Sequence, residues 1–402
     1  MPALPSAEEQ NQARCQEQDS DGSDCQGAGR AGAARMDPDA SARCRLRKAK
    51  MVDRAGAAGL GSQHADWKGT GMKAVRVHRY AGVCRTDLHV LEGQWDAIQR
   101  PELPYILGHE NAGWVLETGS AVTNVVPGDT VIMHPVIACG LCAPCRAGED
   151  SHCEASSFPG LNTNGGMAEL LKTSARAVVK LDPAVQPADV AALADAGLTA
   201  YHAVRRAVPL LPPGSEAVVI GAGGLGHIGV QSLKALTGAH ITVVDTSDQA
   251  LALAKELGAD ATVNPNDLHP AARAVGEPPA DAVVLAVLDI TCGGAHVVFD
   301  FVGEHGTEIT GPAMLRNRGS YYAIGYGGTV MLPTIDLISR EISVVGNLVG
   351  TYQDLVELMT LNSLGQITLT TSSYDLLDAV QALHDLDAGK LTGRAILLPG
   401  LE

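Results

Sequence analysis

Residues 217–226 read Ala-Val-Val-Ile-Gly-Ala-Gly-Gly-Leu-Gly. The four apolar residues predict a short buried strand, and the glycines predict a tight turn into a helix over residues 225–237. A second apolar run at 241–245 predicts the next strand, and the pattern repeats beyond it. Because strands that alternate with helices form parallel βαβ units, this half of the chain is predicted to be α/β, with a doubly wound parallel sheet.

The glycine turn has the spacing of a dinucleotide-binding site. Gly221 permits the tight turn, Gly223 and Gly224 let the backbone approach a pyrophosphate, and Gly226 lets helix and strand pack closely. The helix N-terminus then presents free N–H groups to the phosphates. Asp245 follows Gly226 by nineteen residues, at the end of the second strand. A carboxylate there accepts hydrogen bonds from the ribose hydroxyls of NAD and repels the 2′-phosphate of NADP, although Asp245 could also be a helix N-cap.

Four cysteines lie within the fifteen residues that end at Cys153. They are Cys139, Cys142, Cys145 and Cys153. Short Cys-x-x-Cys turns place sulfurs on one ion, so the spacing predicts zinc; the alternatives are free thiols or a disulfide. Since four cysteines leave no open coordination position, this zinc is expected to be structural. Short strand-like runs flank the loop and predict a β-rich domain.

Composition limits the class of protein. The chain has 402 residues, 46% of them hydrophobic, and a net charge of -16, which argues against a nucleic acid or an anionic membrane surface as partner. No run of eighteen apolar residues occurs, so no membrane span is expected. Nine cysteines without a secretion signal suggest a cytoplasmic protein.

The first part of the chain differs from the rest. Residues 1–71 are rich in Ala, Gly, Ser and Asp, and we predict that they form a disordered extension. Cys15, Cys25 and Cys44 are widely spaced there and are interpreted as incidental thiols rather than as a second metal or redox site. An alternating, strand-like run begins at Met72.

Three further segments carry possible metal ligands. They are Gly82-Val-Cys84-Arg-Thr86-Asp87-Leu-His89, Gly108-His109-Glu110 and Ala194-Asp195-Ala-Gly197. Taken singly, Cys84 could be merely buried, His109 could be a satisfied core histidine, and Asp195 could cap a helix. Thiolate, imidazole and carboxylate together can hold zinc with one position open to a substrate.

The ordered set of Gly-His-Glu, the four-cysteine loop and the glycine turn resembles the zinc-dependent medium-chain alcohol dehydrogenases. The resemblance covers residues 72–402 and is strongest to the bacterial NAD-dependent secondary-type enzymes. It implies a GroES-like β-rich catalytic domain over 72–196, a Rossmann NAD-binding domain over 197–346, and a return of 347–402 to the catalytic domain.

The resemblance also implies the roles of individual residues. Cys84, His109 and Asp195 would hold a catalytic zinc, and Asp87 would orient the ligating histidine. Thr86 would contact the substrate oxygen, His89 would end the proton relay, and Glu110 would lie behind the metal. Trp95 would line the substrate pocket, and Arg394 would reach the cofactor pyrophosphate.

The activity implied is hydride transfer between a primary or secondary alcohol and NAD, giving an aldehyde or ketone. The resemblance also implies a homo-oligomer (a dimer or tetramer) in which each chain holds two zinc ions, one catalytic and one structural. The alternative is a catalytically impaired NAD-binding relative that keeps the structural zinc.

The sequence departs from the family near its start. Tyr80 runs straight into Ala81, where the family has a pair of strands, so part of the first β-structure is predicted to be missing and a sheet edge to be exposed. A second departure lies between Glu277 and Cys292, where the apolar run 281–288 could be a strand or a buried helix.

Overall fold

The computed structural model describes residues 73–96, 103–268 and 281–400. The predicted extension with Cys15, Cys25 and Cys44, and the Pro-Pro pair at 278–279, lie outside the described residues. In chain order the strands are β1 Ala74–Val83, β2 Glu110–Thr118, β3 Thr130–Met133, β4 Leu170–Ser174, β5 Val178–Lys180, β6 Glu216–Ile220, β7 His240–Val244, β8 Ala261–Val263, β9 Ala295–Asp300, β10 Leu315–Ala323, β11 Ser343–Gly346, β12 Thr371–Asp375 and β13 Arg394–Leu398.

The helices connect these strands and cover the sheets. They are α1 Arg85–Glu92, α2 Ala143–Ala147, α3 Ala196–Ala207, α4 Gly226–Leu236, α5 Asp248–Glu256, α6 Ala282–Ile290, α7 Thr307–Ala313, α8 Thr334–Arg340, α9 Tyr352–Ser363 and α10 Ala379–Asp387. Among the described residues, none of these helices is both long and apolar enough to cross a membrane.

The first sheet is β-rich and mostly antiparallel. Its seven strands follow the order β12-β13-β1-β2-β3-β5, with β4 paired to β1, and only β12 and β13 run parallel. Alternate residues of β1, such as Val75 and Val77, are fully buried, because successive side chains of a strand point to opposite faces. The C-terminal strands β12 and β13 therefore belong to the same sheet as the N-terminal strand.

Strand β1 contains the sequence departure at Tyr80–Ala81. It runs unbroken for ten residues, with β2 along one side and first β4 and then β13 along the other. Both sides of β1 are therefore paired, and the strand itself presents no exposed edge. The pairing of β1 with β4 ends at His78 and its pairing with β13 begins at Ala81, so these two strands follow one another along the same side of β1.

The second sheet confirms the predicted doubly wound fold. Its six strands are all parallel and follow the order β11-β10-β9-β6-β7-β8. The first strand of this half, β6, lies at the centre, and the order reverses on either side of it. Ligands of such sheets bind outside the carboxyl ends of the strands at this reversal.

The apolar run at 281–288 is a helix, α6. Asp281 caps it, since its carboxylate accepts the backbone N–H of Val283 at 2.8 Å. Periodicity could not distinguish helix from strand there, because almost every residue of the run is apolar. Its contacts with α7 and β8, rather than its pattern, decide the conformation.

Candidate active site and metal centres

The four cysteines of the loop converge on one point. Their Sγ atoms all lie within 4.8 Å of one another, and each is a free thiol. Cys142 precedes helix α2, and Cys145 lies within it, so this short helix brings two of the sulfurs inward. The Sγ atoms of Cys139 and Cys145 are 3.9 Å apart, as are those of Cys142 and Cys153. With Zn–S bonds of about 2.3 Å, the edges of a tetrahedron measure about 3.8 Å, so the sulfurs fit one zinc ion.

Backbone N–H groups support negative charge on these sulfurs. The Sγ atom of Cys139 accepts hydrogen bonds from the N–H groups of Leu141 at 3.3 Å and Cys142 at 3.4 Å. These bonds lower the pKa of the Cys139 thiol to about 6. The Sγ of Cys153 accepts the N–H of Cys139 at 3.2 Å. Four cysteine sulfurs would occupy all the positions of a tetrahedral zinc ion and leave none for a substrate, which suits a structural site.

The second cluster forms where three distant segments meet. Cys84 lies between β1 and α1, at the N-cap of the helix, while His109 immediately precedes β2 and Asp195 immediately precedes α3. Ligand atoms of these residues and of Glu110 all lie within 4.8 Å of one another. The Nε2 atom of His109 is 3.4 Å from the Asp195 carboxylate, and its Nδ1 atom is 3.4 Å from Asp87. The structure thus brings together the residues that the sequence predicts as catalytic ligands.

The donor atoms of this cluster suit a cation. Both ring nitrogens of His109, Oδ1 of Asp195 and Oε2 of Glu110 are buried without a hydrogen-bond partner in good geometry. Asp195 occupies the N-cap position of α3, yet its side chain makes no capping hydrogen bond. The alternative role of Asp195 as a helix cap is therefore not supported. Buried polar atoms are costly when unpaired, and a bound zinc would satisfy these together. The residues present therefore fit a catalytic zinc.

The pKa of His109 is set by its burial and by its acidic neighbours. Burial by itself acts to lower the pKa of His109, but the charge of Asp87 and the contacts with Asp195 and Cys84 outweigh it, so the pKa is raised well above its usual value. The Asp87 carboxylate is fixed in turn, because its Oδ2 accepts the backbone N–H of Cys84 at 2.9 Å. Asp87 therefore holds both the ligand loop and the imidazole.

Glu110 lies between the metal cluster and the cofactor side of the site. One of its carboxylate oxygens, Oε1, accepts a hydrogen bond from Arg394 and another from the N–H of Ala196. Burial raises the pKa of Glu110, and the Arg394 cation opposes this. The β1–β2 register places Gly82 opposite Glu110, and a Cβ on Gly82 would lie 1.9 Å from Oε2. Glycine is thus required there for the carboxylate to reach inward.

The glycine turn lies next to Arg394. Gly221 has a φ of +83°, and a Cβ on Gly226 would lie 1.7 Å from the Gly221 carbonyl oxygen. A Cβ on Gly224 would lie 2.6 Å from Nη1 of Arg394, whereas nothing lies within 4 Å of the corresponding point at Gly223. The turn is therefore tight where strand meets helix and open where a pyrophosphate would approach.

Asp245 is held at the end of β7, beside the turn. Its Oδ2 accepts the N–H of Ala222 at 2.7 Å, and its Oδ1 accepts the N–H of Ser247 at 2.8 Å. The cap of helix α5 is Ser247 instead, whose hydroxyl accepts the N–H of Ala250. The carboxylate therefore bridges two loops that border the dinucleotide site, where a ribose would lie.

The substrate side of the site includes a residue that the sequence analysis missed. The Tyr326 hydroxyl accepts the indole N–H of Trp95 at 2.9 Å and donates to Oγ1 of Thr86 at 3.1 Å. The ring of His89 packs edge-on against Tyr326, with centroids 4.7 Å apart. Burial, followed by the charge of Arg85, lowers the pKa of His89. Tyr326 lies three residues beyond β10, and its place at the carboxyl end of a parallel strand was the available signal.

Comparison with known proteins agrees with this architecture. Residues 70–183 match the family described as the alcohol dehydrogenase GroES-like domain, and residues 224–363 match that described as zinc-binding dehydrogenase. The NAD-dependent alcohol dehydrogenase of Sulfolobus acidocaldarius is 36% identical over 338 residues, which cover 82% of this chain and 92% of that protein. The D-arabinose 1-dehydrogenase (NADP(+)) of Saccharolobus solfataricus is 35% identical over 79% of this chain and 88% of its own length.

A solved structure gives the same result in three dimensions. The alcohol dehydrogenase of Aeropyrum pernix superposes with a TM-score of 0.77 at 42% identity, covering 82% of this chain and 93% of its own. With its two domains and two zinc-binding clusters in the family's order, this chain belongs to the zinc-dependent medium-chain alcohol dehydrogenases.

Proposed function

We propose that this protein oxidises primary or secondary alcohols to aldehydes or ketones with NAD, and catalyses the reverse reduction. The observation that supports this most directly is the convergence of Cys84, His109 and Asp195 beside a hydroxyl, Thr86, and beside a glycine turn that ends near an acidic residue. Bound zinc would supply a Lewis acid that acidifies the alcohol, and NAD would supply the hydride acceptor.

The protein's own residues would do the remaining work. Cys84, His109 and Asp195 would hold the metal, while Asp87 orients the imidazole. Thr86 would donate a hydrogen bond at the substrate oxygen, because it lies in the first turn of α1, two residues after a ligand. His89 would end the relay that carries the proton of the alcohol to solvent. Its lowered pKa keeps the imidazole neutral, and a neutral imidazole can accept that proton.

Two further groups would position the cofactor. Arg394 donates a hydrogen bond to Glu110 and lies close to Gly224. It would therefore face the cofactor pyrophosphate while neutralising the charge of the buried Glu110 carboxylate. Asp245 would accept hydrogen bonds from the ribose and would repel a 2′-phosphate. The relative from Saccharolobus solfataricus that is named for NADP shows that the family includes both cofactors, so the preference must be measured.

The proposal is tested by turnover and by metal content together. Purified protein should contain two zinc ions per chain and reduce NAD when supplied with a panel of primary, secondary and aromatic alcohols. One zinc per chain with NAD binding but no turnover would instead support the impaired relative. Activity with NADP exceeding that with NAD would contradict the role of Asp245.

Replacement of Asp195 tests the ligand assignment. Asp195→Ala should lose one zinc and the activity while NAD binding survives, and Asp195→Cys should retain both zinc ions because a thiolate also binds zinc. Asp189→Ala is a matched control, since Asp189 is exposed and lies in the same segment. Two zinc ions retained in Asp195→Ala would overturn the assignment.

We further propose a homo-oligomer in the cytoplasm. Strand β11 is the outer strand of the parallel sheet, and exposed apolar side chains lie near it, including Met331 at 72%, Ile335 at 67% and Ile338 at 73% exposure. Unpaired edges and exposed apolar clusters favour association with a second copy. Light scattering after chromatography should give at least twice the chain mass of 41.6 kDa, and Ile338→Asp should reduce it.

A further inference from the structure

Tyr326 is carried into the site by the parallel-sheet half of the molecule. It lies three residues beyond the end of β10, in the segment Gly325-Tyr326-Gly327. This segment packs tightly on the preceding loop, because a Cβ on Gly325 would lie 2.3 Å from the Val302 backbone. A Cβ on Gly327 would lie 2.7 Å from the Glu304 carboxylate. The glycines on both sides therefore fix where the tyrosine stands.

The hydrogen bonds through Tyr326 run in one direction. The indole nitrogen of Trp95 can only donate, and it donates to the Tyr326 hydroxyl at 2.9 Å. The tyrosine has one proton, and it donates that proton to Oγ1 of Thr86 at 3.1 Å. Thr86 thus receives a hydrogen bond at one lone pair and keeps its own proton for another acceptor. Hydrogen bonds in such a chain polarise one another in the same sense.

We propose that Tyr326 is a positioning residue for Thr86. It fixes the Thr86 hydroxyl as a hydrogen-bond donor toward the substrate oxygen, and it is itself held by the indole N–H of Trp95. This rests on the proposed function, because the substrate oxygen is that of the alcohol or carbonyl compound. The Thr86 hydroxyl belongs to α1, the Trp95 indole to the segment after it, and the Tyr326 hydroxyl to the parallel-sheet half of the molecule. The hydrogen bonds between them therefore also link the two halves.

The kinetic test removes the tyrosine hydroxyl alone. Tyr326→Phe should lower kcat/KM for alcohol oxidation about three- to tenfold, the worth of one hydrogen bond, while KM for NAD and the zinc content stay unchanged. Tyr322→Phe is the matched control, because it removes a phenol hydroxyl from β10, the strand that leads to Tyr326, in the buried core beside Phe299. In a Thr86→Ala background the effect of Tyr326→Phe should vanish, since the group that it positions is gone.

A second measurement is independent of turnover. The chain has three tryptophans, so replacing Trp67 and Trp114 with phenylalanine leaves Trp95 as the only emitter. In the zinc-loaded protein without cofactor, Tyr326→Phe should shift the Trp95 emission to longer wavelength, because water replaces the phenol hydroxyl at the indole N–H. Tyr322→Phe should leave the emission unchanged.

The outcomes separate this inference from the proposed function. If the wild-type protein oxidises no alcohol, the proposed function is overturned, and so is the role of Tyr326 at the substrate oxygen. The emission test then examines only the hydrogen bond between Trp95 and Tyr326. If the wild type is active but Tyr326→Phe changes kcat/KM less than twofold, only the role of Tyr326 is overturned. An equal effect of Tyr326→Phe with and without the Thr86 hydroxyl would show that the Tyr326 hydroxyl acts by a route other than Thr86, and would overturn the positioning role.

Discussion

Replacing Arg79 with methionine should stabilise this protein, because the arginine is a buried cation with few partners. Arg79 is 1% exposed and lies on the inward face of β1, between Val77 and Ala81. Its guanidinium donates one hydrogen bond, to the carbonyl of Ala168, while Nε and Nη1 lack partners. Among the described residues, no carboxylate forms an ion pair with it.

The size of the effect follows from the burial. Desolvation lowers the pKa of Arg79 from 12.5 to about 9. Each pKa unit is worth about 1.4 kcal/mol, so the charged form is destabilised by on the order of 5 kcal/mol. Methionine removes this cost but also removes the bond to Ala168, worth about 1 kcal/mol, and fills less space. A net gain of about 1–3 kcal/mol is therefore expected, in the range seen when buried charges are replaced by apolar residues.

The destabilisation caused by Arg79 should depend on pH only in the alkaline range. Because the pKa of Arg79 is lower in the folded chain than in the unfolded chain, the guanidinium is charged in both states below about pH 9, and the cost is then fully present. It declines only as the pH rises above about 9, where the folded form begins to release its proton. The gain from Arg79→Met should consequently be the same at pH 6, 7 and 8.

Urea unfolding of the zinc-loaded protein, followed by circular dichroism, measures the gain. Arg76→Met is the control, since Arg76 lies on the same strand but pairs with Glu117 at 3.4 Å and is partly exposed; its effect should stay within about 1 kcal/mol. If Arg79→Met lowers the free energy of unfolding by more than about 1 kcal/mol while Arg76→Met leaves it unchanged, the hydrogen bond of Arg79 to Ala168 outweighs the desolvation cost and the reasoning fails.

Three other predictions address the metal loop, the cofactor and the chain start. Cys145→Ala should reduce the zinc content from two ions to one and lower the melting temperature, because zinc binding contributes to folding free energy; an unchanged melting temperature with both zinc ions would contradict the structural role. Asp245→Gly should raise activity with NADP relative to NAD, measured as the ratio of kcat/KM values, and an unchanged ratio would show that Asp245 does not contact the ribose. A shortened chain beginning at Met72 should fold and bind NAD like the full chain in calorimetric titration; loss of NAD binding would show that residues 1–71 contribute to the fold.

Short local patterns made much of this protein predictable from its sequence. The cysteine loop and the glycine turn are each contained within fifteen residues, so their chemistry depends on nearby backbone rather than on distant contacts. The parallel sheet follows from alternating apolar strands and helices, and β6 and α4 lie within a residue or so of the predicted bounds. The roles of Cys84, His109 and Asp195 as zinc ligands were predicted through family resemblance, and spacing alone left each residue ambiguous.

Tertiary structure decided what depends on pairing between distant segments. The contact of Arg394 with Glu110 spans 284 residues, and that of Tyr326 with Thr86 spans 240. Both depend on how strands pair and how the two sheets meet, which local periodicity does not encode. The same holds for β1, where the sequence indicated a lost strand pair and an exposed edge, but β4 and β13 pair in succession along the strand. A strand's partners are fixed by which backbone groups remain to be hydrogen-bonded, and the whole fold determines that.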